Sequence, residues 1–309
     1  MIVLLFVLID TYVQYLFEKD LFGYPRHHTR LSGPFGDELI VGSYIAKITP
    51  FLFSIYFLIN KKLNFYHLVL LTLSWVIVFL SGERTSFFYM TIVMISFLLF
   101  YKAESNSKQI LLLLFLSIIS FGIASQDKTA KNRMVQHTLC TMNIKFFDFD
   151  CSRTADESTI KKKRIVIFSS SHEGHYLAAF KMFKDNIVFG VGPKMYRFYC
   201  KDDRYYNKHS CTTHPHNTLL QILAELGLIG LGFYLTAIFY LLINFHKFMF
   251  KNKKISKNHK FSIILIYISF FQTFFFLVPS GQFFNNYLSI INYLPLGLFL
   301  YYIKIYKSE

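Results

Sequence analysis

The stretch CTTHPHNTLLQILAELGLIG, residues 211–230, joins a polar, histidine-rich loop to a long apolar helix without a break. His214, His216 and Asn217 stand just before the apolar run, which is long enough to enter the hydrocarbon of a membrane. Imidazole and amide groups are therefore expected at the mouth of a membrane helix rather than on a free loop. The stretch predicts that a chemical site and a membrane boundary meet here.

The composition is typical of a membrane protein. Of the 309 residues, 53% are hydrophobic and 17% are charged, whereas about 25% are charged in a typical soluble domain. A net charge of +15 would suit a nucleic-acid partner, but the basic residues are spread over loops and form no basic-aromatic face. We expect membrane lipids, and no nucleic acid, as partners.

Eight apolar runs predict an all-α, polytopic membrane helix bundle of about eight spans, since hydrocarbon about 30 Å thick requires runs of roughly this length. The runs are 1–17, 42–59, 65–80, 85–101, 109–125, 218–245, 261–279 and 285–303. The predicted parts are N-terminal membrane helices at 1–125, a polar region at 126–217 and C-terminal membrane helices at 218–309. The first run contains Asp10 and lacks a basic leader, so it is interpreted as a first or truncated helix, not a signal peptide.

Lysines in the short connections predict the orientation, because short basic loops stay in the cytoplasm. They lie near 61–62, 102–108, 247–260 and 304–307. With eight spans these places share the cytoplasmic side, and both termini lie there. The polar region is then a large periplasmic loop with short amphipathic helices, and the protein is expected in the bacterial inner membrane.

The four cysteines, Cys140, Cys151, Cys200 and Cys211, all lie in the polar region. Zinc sites usually bring cysteines two to four residues apart, so a metal is disfavoured. Two local disulfides, Cys140 with Cys151 and Cys200 with Cys211, are the favoured interpretation, and they need an oxidising compartment such as a periplasm. Four unpaired thiols remain the alternative.

All eight arginines fall in segments predicted to face outward, while the short cytoplasmic loops use only lysine. They are Arg26, Arg30, Arg84, Arg133, Arg153, Arg164, Arg197 and Arg204. A guanidinium offers a rigid fork of donors that suits phosphate oxygens, so we expect at least two of them to bind pyrophosphate. The alternative is chance, because the large loop is long and polar.

The polar region also has order of its own. Tyr176, Ala179, Phe180 and Phe183 give an amphipathic helical pattern, ended by glycines at 190 and 192. Such a helix would lie along the membrane surface or cap a cavity. The charged, poorly periodic segment 143–163 is predicted to be mobile.

The sequence HPHNTLLQILAELGLIG resembles the signature of the O-antigen ligase and O-antigen polymerase superfamily, in which a His-Asn pair is followed by nine residues, a glycine, two residues and a small residue. Here these are His216, Asn217, Gly227 and Gly230. FGVGPKMYRFYC resembles the Gly-x-Gly turn of the family, RLSGPFGDE its Arg-x-Ser-Gly-x-Phe element and SGERTSF its Ser-Arg turn. The resemblance extends over the chain from Arg30 onward.

The resemblance implies a membrane glycosyltransferase that uses a glycan linked to undecaprenyl diphosphate, with no cofactor. It places Arg30, Arg84 and Arg197 at the diphosphate. Where many relatives carry an arginine before the Gly-x-Gly turn, this chain has His172, with Arg164 eight residues earlier as a further diphosphate ligand. Relatives usually have ten to twelve spans, so N-terminal helices are expected to be missing.

The residues themselves suit this chemistry. Diphosphate is a good leaving group, so the protein must hold it, place an acceptor hydroxyl and help to remove its proton. A histidine with a pKa of about 6.5 can act as the base at neutral pH. His216 is the candidate for the base or for a diphosphate-orienting group, His214 supports it, and Asn217 caps the following helix. The alternative is that both histidines only cap the helix.

A metal site is a further alternative, because His209, His214 and His216 are close in sequence. No Asp-x-Asp pair stands beside them, so the predicted mechanism uses no metal. Glu225 lies inside the apolar run, where an ionisable group faces the protein interior. It is either an acceptor contact or a partner for an arginine such as Arg84, or else a hydrogen-bonded structural group.

Within the family, a ligase transfers the glycan to lipid A core and a polymerase transfers it to the growing glycan. The pairing of Cys200 with Cys211 around Arg197 resembles polymerase-like relatives and favours a polymerase, with a chain-length regulator or flippase as a partner. A lipid-linked oligosaccharide transporter is the rival from another class. It would be expected to place charges inside several spans and to contain internal repeats, which this sequence does not show.

Overall fold

The computed structural model describes residues 1–59, 63–101, 107–142, 144, 151, 168–251, 257–275 and 278–307. Regular structure within these ranges is helical, with no β-strand. The helices are α1 Ile2–Phe17, α2 Val41–Ile59, α3 Phe65–Leu80, α4 Arg84–Phe100, α5 Ser107–Ala124, α6 Lys128–Lys131, α7 His137–Thr141, α8 Ser170–Asp185, α9 Tyr196–Tyr199, α10 Thr218–His246, α11 Lys257–Phe274 and α12 Asn286–Lys307. The all-α prediction is confirmed, and helix ends fall within a few residues of the apolar runs.

The chain forms two compact units. The first unit comprises Met1–Val135, Lys253–Gln272 and Pro295–Glu309, and the second comprises Gln136–Asn252 and Thr273–Leu294. The predicted mobile segment 143–163 lies outside the described residues, apart from positions 144 and 151.

In the first unit, a proline inside α2 explains how α11 is held. Pro50 has no N–H, so the carbonyl of Ala46, four residues earlier, loses its helical donor. The side-chain amide of Gln272 donates to this carbonyl over 2.9 Å, and the Ser269 hydroxyl donates to the carbonyl of Lys47 over 2.8 Å. Gln272 of α11 thus satisfies the carbonyl that the proline leaves without a donor, and Ser269 adds a second hydrogen bond to α2.

Aromatic side chains fill the core of this unit. Phe97 of α4 packs edge-on against Phe53 of α2 and against Phe261 of α11, with ring centroids 5.3 Å and 5.0 Å apart. Trp75 of α3 stacks on Phe121 of α5 at 5.1 Å. Edge-to-face and offset-stacked pairs of this kind stabilise a core beyond their buried area.

The second unit is built on α8, α9 and the first turns of α10. Its buried core includes Ala178, Ala179, Met182, Tyr196 and Ala224. The Tyr196 hydroxyl donates to the carbonyl of Ser210 over 2.5 Å, which ties α9 to the histidine-rich loop. The amphipathic helix predicted through Tyr176 and Phe183 is confirmed as α8.

Both predicted disulfides are present. Cys200 pairs with Cys211, which closes the loop between α9 and the histidine-rich stretch, and Cys140 pairs with Cys151. A disulfide constrains the unfolded chain and thereby stabilises the fold. The loop that leads to the histidines is therefore fixed at both ends.

By length and composition, two of the described helices can cross a membrane, Val41–Ile59 and the run Thr218–Phe250. A bent pair, Ile110–Ala124 and Lys128–Thr141 at 93°, makes a third if it is one span. Three further apolar helices, α1, α3 and α4, are 16 or 17 residues long, and about 25 Å at 1.5 Å per residue is short of about 30 Å. Eight crossings therefore stay a prediction.

Candidate active site

Hydrogen bonds to α10 and to Ser280 hold the histidine-rich loop in place. The Asn217 side chain accepts a hydrogen bond from the N–H of Leu220 over 3.0 Å and caps α10, as the sequence predicts. His216 has a left-handed backbone, with φ 54°, which is uncommon outside glycine and typical of functional sites. Its carbonyl accepts from the N–H of Ser280 over 2.9 Å.

The same serine also holds the neighbouring histidine. The Nε2 atom of His214 lies 3.3 Å from the carbonyl oxygen of Ser280, and its Nδ1 atom lies 2.9 Å from the Thr213 hydroxyl. The Thr218 hydroxyl lies 2.8 Å from the Ser280 hydroxyl. Sequence reasoning gave Ser280 no role, since it lies 62 residues or more from these partners and has no motif of its own.

Four imidazole rings meet at this loop. The ring of His216 lies 4.1 Å from that of His214, 5.5 Å from that of His175 and 5.8 Å from that of His172, between centroids. His172 and His175 share one face of α8, because residues three apart are neighbours on a helix. His175 was not predicted, although its spacing from His172 is the signal that would have indicated it. The Nδ1 atom of His172 lies 2.7 Å from the Ser169 hydroxyl.

The two loop histidines are neutral at physiological pH. Burial, with a further contribution from His216, lowers the pKa of His214 to about 3. Burial, together with the charge of His175, lowers the pKa of His216 to about 4. A neutral imidazole has a free lone pair and can accept a proton. The loop therefore presents bases rather than cations.

Arg197 stands beside these histidines. Its charge acts on His214 and on Glu225. Its Nε atom is buried and makes no hydrogen bond among the described residues. Arg197 therefore contributes a cation with an unused donor to the histidine cluster.

Hydrogen bonds fix both carboxylate oxygens of Glu225. Its side chain is fully buried. One carboxylate oxygen accepts from the N–H of Tyr196 over 3.1 Å, and the other accepts from the side-chain amide of Gln221 over 3.1 Å. Gln221 in turn accepts from the N–H of Phe283 over 3.0 Å. Glu225 thus fixes α9, which carries Arg197, against α10.

The helix that follows the histidines is broken at the signature glycine. Gly227 has φ 62° and ψ −158° inside α10, a conformation that is open essentially to glycine alone. The carbonyls of Ala224 and Glu225, which lose their helical donors, accept instead from the N–H groups of Val191 and Gly192, both over 2.9 Å.

The donors released by the break are satisfied by the same segment. The N–H of Leu228 donates to the carbonyl of Ile187 over 2.8 Å, and that of Ile229 donates to the carbonyl of Val188 over 3.3 Å. A Cβ atom on Gly190 would lie 2.5 Å from the backbone nitrogen of Leu226. The Gly-x-Gly turn and the signature glycine are therefore two sides of one close backbone contact.

The first unit contains a separate cluster of charges. The Arg30 guanidinium donates to the carbonyl of Leu39 over 2.6 Å and lies 3.8 Å from the Glu83 carboxylate. The Nε atom of Arg133 donates to the carbonyl of Gly82 over 3.0 Å. Burial lowers the pKa of Arg133, as do the charges of Arg30 and Arg84. Three arginines gather here around one carboxylate.

Hydrogen bonds from α2 and α4 hold the Glu83 carboxylate. It accepts from the N–H groups of Gly42 and Ser43 over 2.7 Å and 3.0 Å, and from the Ser86 hydroxyl over 3.0 Å. Burial raises the pKa of Glu83, and Arg30 opposes that shift. The sequence placed Arg30 and Arg84 at a diphosphate, but it singled out Arg133 only as one of the eight outward arginines. Nothing in the local sequence reveals that Arg133 packs on Gly82.

The predicted site residues thus fall in two places. Arg30 and Arg84 belong to the first unit, and the histidines, Arg197 and Glu225 belong to the second. The prediction for Arg164 lies outside the described residues. Among those residues, no group of three or more His, Cys, Asp or Glu side chains is placed to hold a metal ion.

A comparison with models of protein families matches the O-Antigen ligase family over residues 68–235, more than half of the chain. The matched range contains Arg84, the four histidines and both sides of the glycine contact, while Arg30 precedes it. The comparisons with curated proteins and with solved structures found no match.

Proposed function

Since the chain belongs to the O-antigen ligase family, we propose that it transfers a glycan from a polyprenyl diphosphate to an acceptor hydroxyl at the periplasmic face of the inner membrane, without a metal ion. The coarse activity, a membrane glycosyltransferase of the ligase or polymerase type, follows from the family. The donor, the roles of the residues and the absence of a metal are the proposal.

The observation that carries the proposal is the neutral pair His214 and His216 at the head of the signature helix. A general base must be unprotonated, within hydrogen-bond reach of a hydroxyl and held in one orientation. The hydrogen bonds of Ser280 to the His216 backbone and to the His214 ring hold both groups, and burial keeps them neutral.

In the proposed step, the acceptor oxygen forms a bond to the anomeric carbon as the bond from that carbon to the diphosphate oxygen breaks. The electron pair leaves with the diphosphate, and the acceptor proton passes to a ring nitrogen of His216. His214, 4.1 Å away between ring centroids, supports that ring. The products are the glycosylated acceptor and polyprenyl diphosphate.

A base with a pKa of about 4 is weak, because catalytic groups work best with a pKa near the operating pH. Binding of the donor is expected to raise the pKa of His216. An anionic diphosphate beside the ring favours the imidazolium and raises the pKa. His216 is therefore expected to become an effective base only when the donor is bound.

The arginines are proposed to hold the diphosphate. Arg30, Arg84 and Arg133 outnumber the one carboxylate of Glu83, so their cluster carries an excess of positive charge that suits an anion. Arg197, with its unused buried donor, is proposed to bind diphosphate beside the histidines. Preorganised cations of this kind stabilise charge that develops on a leaving group.

The topology completes the proposal. We propose about eight spans, with both termini in the cytoplasm, membrane helices at 1–125 and 218–309 and a periplasmic region at 126–217. The disulfides Cys140–Cys151 and Cys200–Cys211 support this orientation, because disulfides persist in a periplasm and rarely in a cytosol.

The test is reconstitution of the purified protein in vesicles with a glycan linked to undecaprenyl diphosphate. Polymerisation predicts a ladder of longer lipid-linked glycans and stoichiometric release of undecaprenyl diphosphate. Ligation predicts product only when lipid A core is added. Movement of the donor across the bilayer with no released diphosphate would show a transporter and refute the proposal.

A further inference from the structure

We propose that the turn Ile187–Phe189, between α8 and the glycine contact, is inserted into the outer boundary of the bilayer as a lipid anchor. The inference concerns a surface that the glycosyl transfer does not use. It is carried by the exposure of this turn and by its backbone bonds to the first residues of the lipid-facing part of α10.

The turn presents apolar side chains to its surroundings. Ile187, Val188 and Phe189 are 48%, 51% and 74% exposed. Contiguous exposed apolar side chains mark an interaction site. Their exposure within a unit that has a well-packed core requires a partner outside it.

The same surface continues along α8. Leu177 and Phe180 are 50% and 43% exposed and lie on one face at helical spacing. The Lys184 ammonium lies 4.9 Å from the centre of the Phe180 ring. An amphipathic helix with lysines beside aromatic residues is typical of the membrane interface.

The break in α10 indicates the depth in the membrane at which the turn lies. Before Gly227 the helix is largely buried, whereas after it the side chains of Leu228, Ile229 and Phe233 are 49%, 44% and 77% exposed. A helix of 33 residues, Thr218–Phe250, would be about 50 Å long if straight, well beyond about 30 Å of hydrocarbon. The lipid-facing span therefore begins near Leu228.

Ile187 and Val188 are hydrogen-bonded through their carbonyls to Leu228 and Ile229. A turn bonded to the first residues of the span must lie at the same depth as those residues. The occupant of its exposed face is therefore bilayer lipid, at the boundary of headgroups and acyl chains. The helical segment from Thr218 to the break is about 14 Å long, so the anchor also limits how far the histidine loop can stand from the membrane.

The test places a tryptophan at the tip. The chain has one tryptophan, at position 75, so Phe189→Trp in a Trp75→Phe background carries the only tryptophan, which is excited selectively at the red edge of its absorption. In vesicles of phosphatidylcholine brominated near the top of the acyl chain, we expect blue-shifted emission and a loss of intensity relative to unbrominated vesicles. Tyr206→Trp in the same background is the matched control, since Tyr206 is 59% exposed in the disulfide-closed loop, and it should be quenched by aqueous iodide instead.

If Phe189→Trp does not fold, judged by its elution as a single species, Leu177→Trp replaces it. Two outcomes overturn the proposal. One is red emission quenched by iodide as strongly as in the control, which would place the tip in water. The other is protection from both quenchers, which would show that protein covers the tip.

Discussion

Substitution of Gly227 by alanine should strongly destabilise the second unit, although it adds only one methyl group. An added Cβ would lie 2.5 Å from the carbonyl carbon and still closer to the carbonyl oxygen of Val188, and these backbone atoms cannot move aside. The backbone conformation costs a non-glycine residue about 1–3 kcal/mol. Four hydrogen bonds tie the break to the Gly-x-Gly segment, and each contributes about 0.5–1.5 kcal/mol. Loss of two of them with the strain gives a destabilisation of roughly 2–6 kcal/mol.

The assay is thermal unfolding of the purified protein in detergent, with the yield of the single folded species as a second measure. Gly232→Ala is the matched control, because it lies in the same helix and a Cβ there meets nothing within 4 Å. Alanine there should be neutral or slightly stabilising, by up to about 1 kcal/mol. Equal melting temperatures for the two variants would show that the close backbone contact does not exist.

Three further results are expected. Arg133→Gln should raise KM for the lipid-linked donor by about tenfold or more, since a hydrogen bond to a charged group contributes about 1.5–3 kcal/mol. The control Arg204→Gln, at an exposed arginine, should leave KM unchanged. Equal effects of the two substitutions would show that Arg133 does not bind the donor. The pKa of His216 is about 4 in the folded protein and near 6.5 in the unfolded chain. The unfolded chain therefore binds more protons between these two pH values. The free energy of unfolding should fall as pH falls from about 6.5 to 4, by up to about 3 kcal/mol. This slope should be shallower in His216→Gln, and an unchanged slope in melting temperature against pH would contradict the buried, neutral ring. Replacing Cys200 and Cys211 together by serine should lower the free energy of unfolding by about 2–3 kcal/mol, because the disulfide closes a loop between cysteines 11 positions apart. If the variant and the wild type unfold alike under non-reducing conditions, the disulfide does not form.

The fold was largely predictable because its main determinants are local. Apolar runs of helical length become helices, and Asn217 caps one of them through a hydrogen bond to a residue only three positions later. The two disulfides were predictable for the same reason, since each joins cysteines 11 positions apart. Hydrophobic length and local pairing are properties that a single segment carries by itself.

The break at Gly227 shows why the rest was not. The sequence marks the glycine, but the continuous apolar pattern around it predicts an unbroken helix. The break is possible because Val191 and Gly192, more than 30 residues earlier, supply the missing donors. A partner so distant in sequence leaves no signal in the local hydrophobic pattern.

The composition of the site had the same limit. His216 and His214 were predicted from the motif, whereas His175, Ser280 and Arg133 reach these clusters through tertiary packing. Arg133 is an ordinary arginine in the sequence, and only the backbone of Gly82 gives it a position. Residue types indicate which chemistry is possible, and packing decides which of them take part.

His216 is proposed to be the base in a glycosyl transfer that uses no metal. The most direct measurement is the initial rate of undecaprenyl diphosphate release by reconstituted protein in excess chelator, for wild type, His216→Ala and His246→Ala. His246 is the matched control, because it is a histidine at the opposite end of the same helix. The account predicts full rates for wild type and His246→Ala and a loss of roughly 10²–10⁴ for His216→Ala. A wild-type rate abolished by the chelator, or a His216→Ala rate equal to that of His246→Ala, would contradict it.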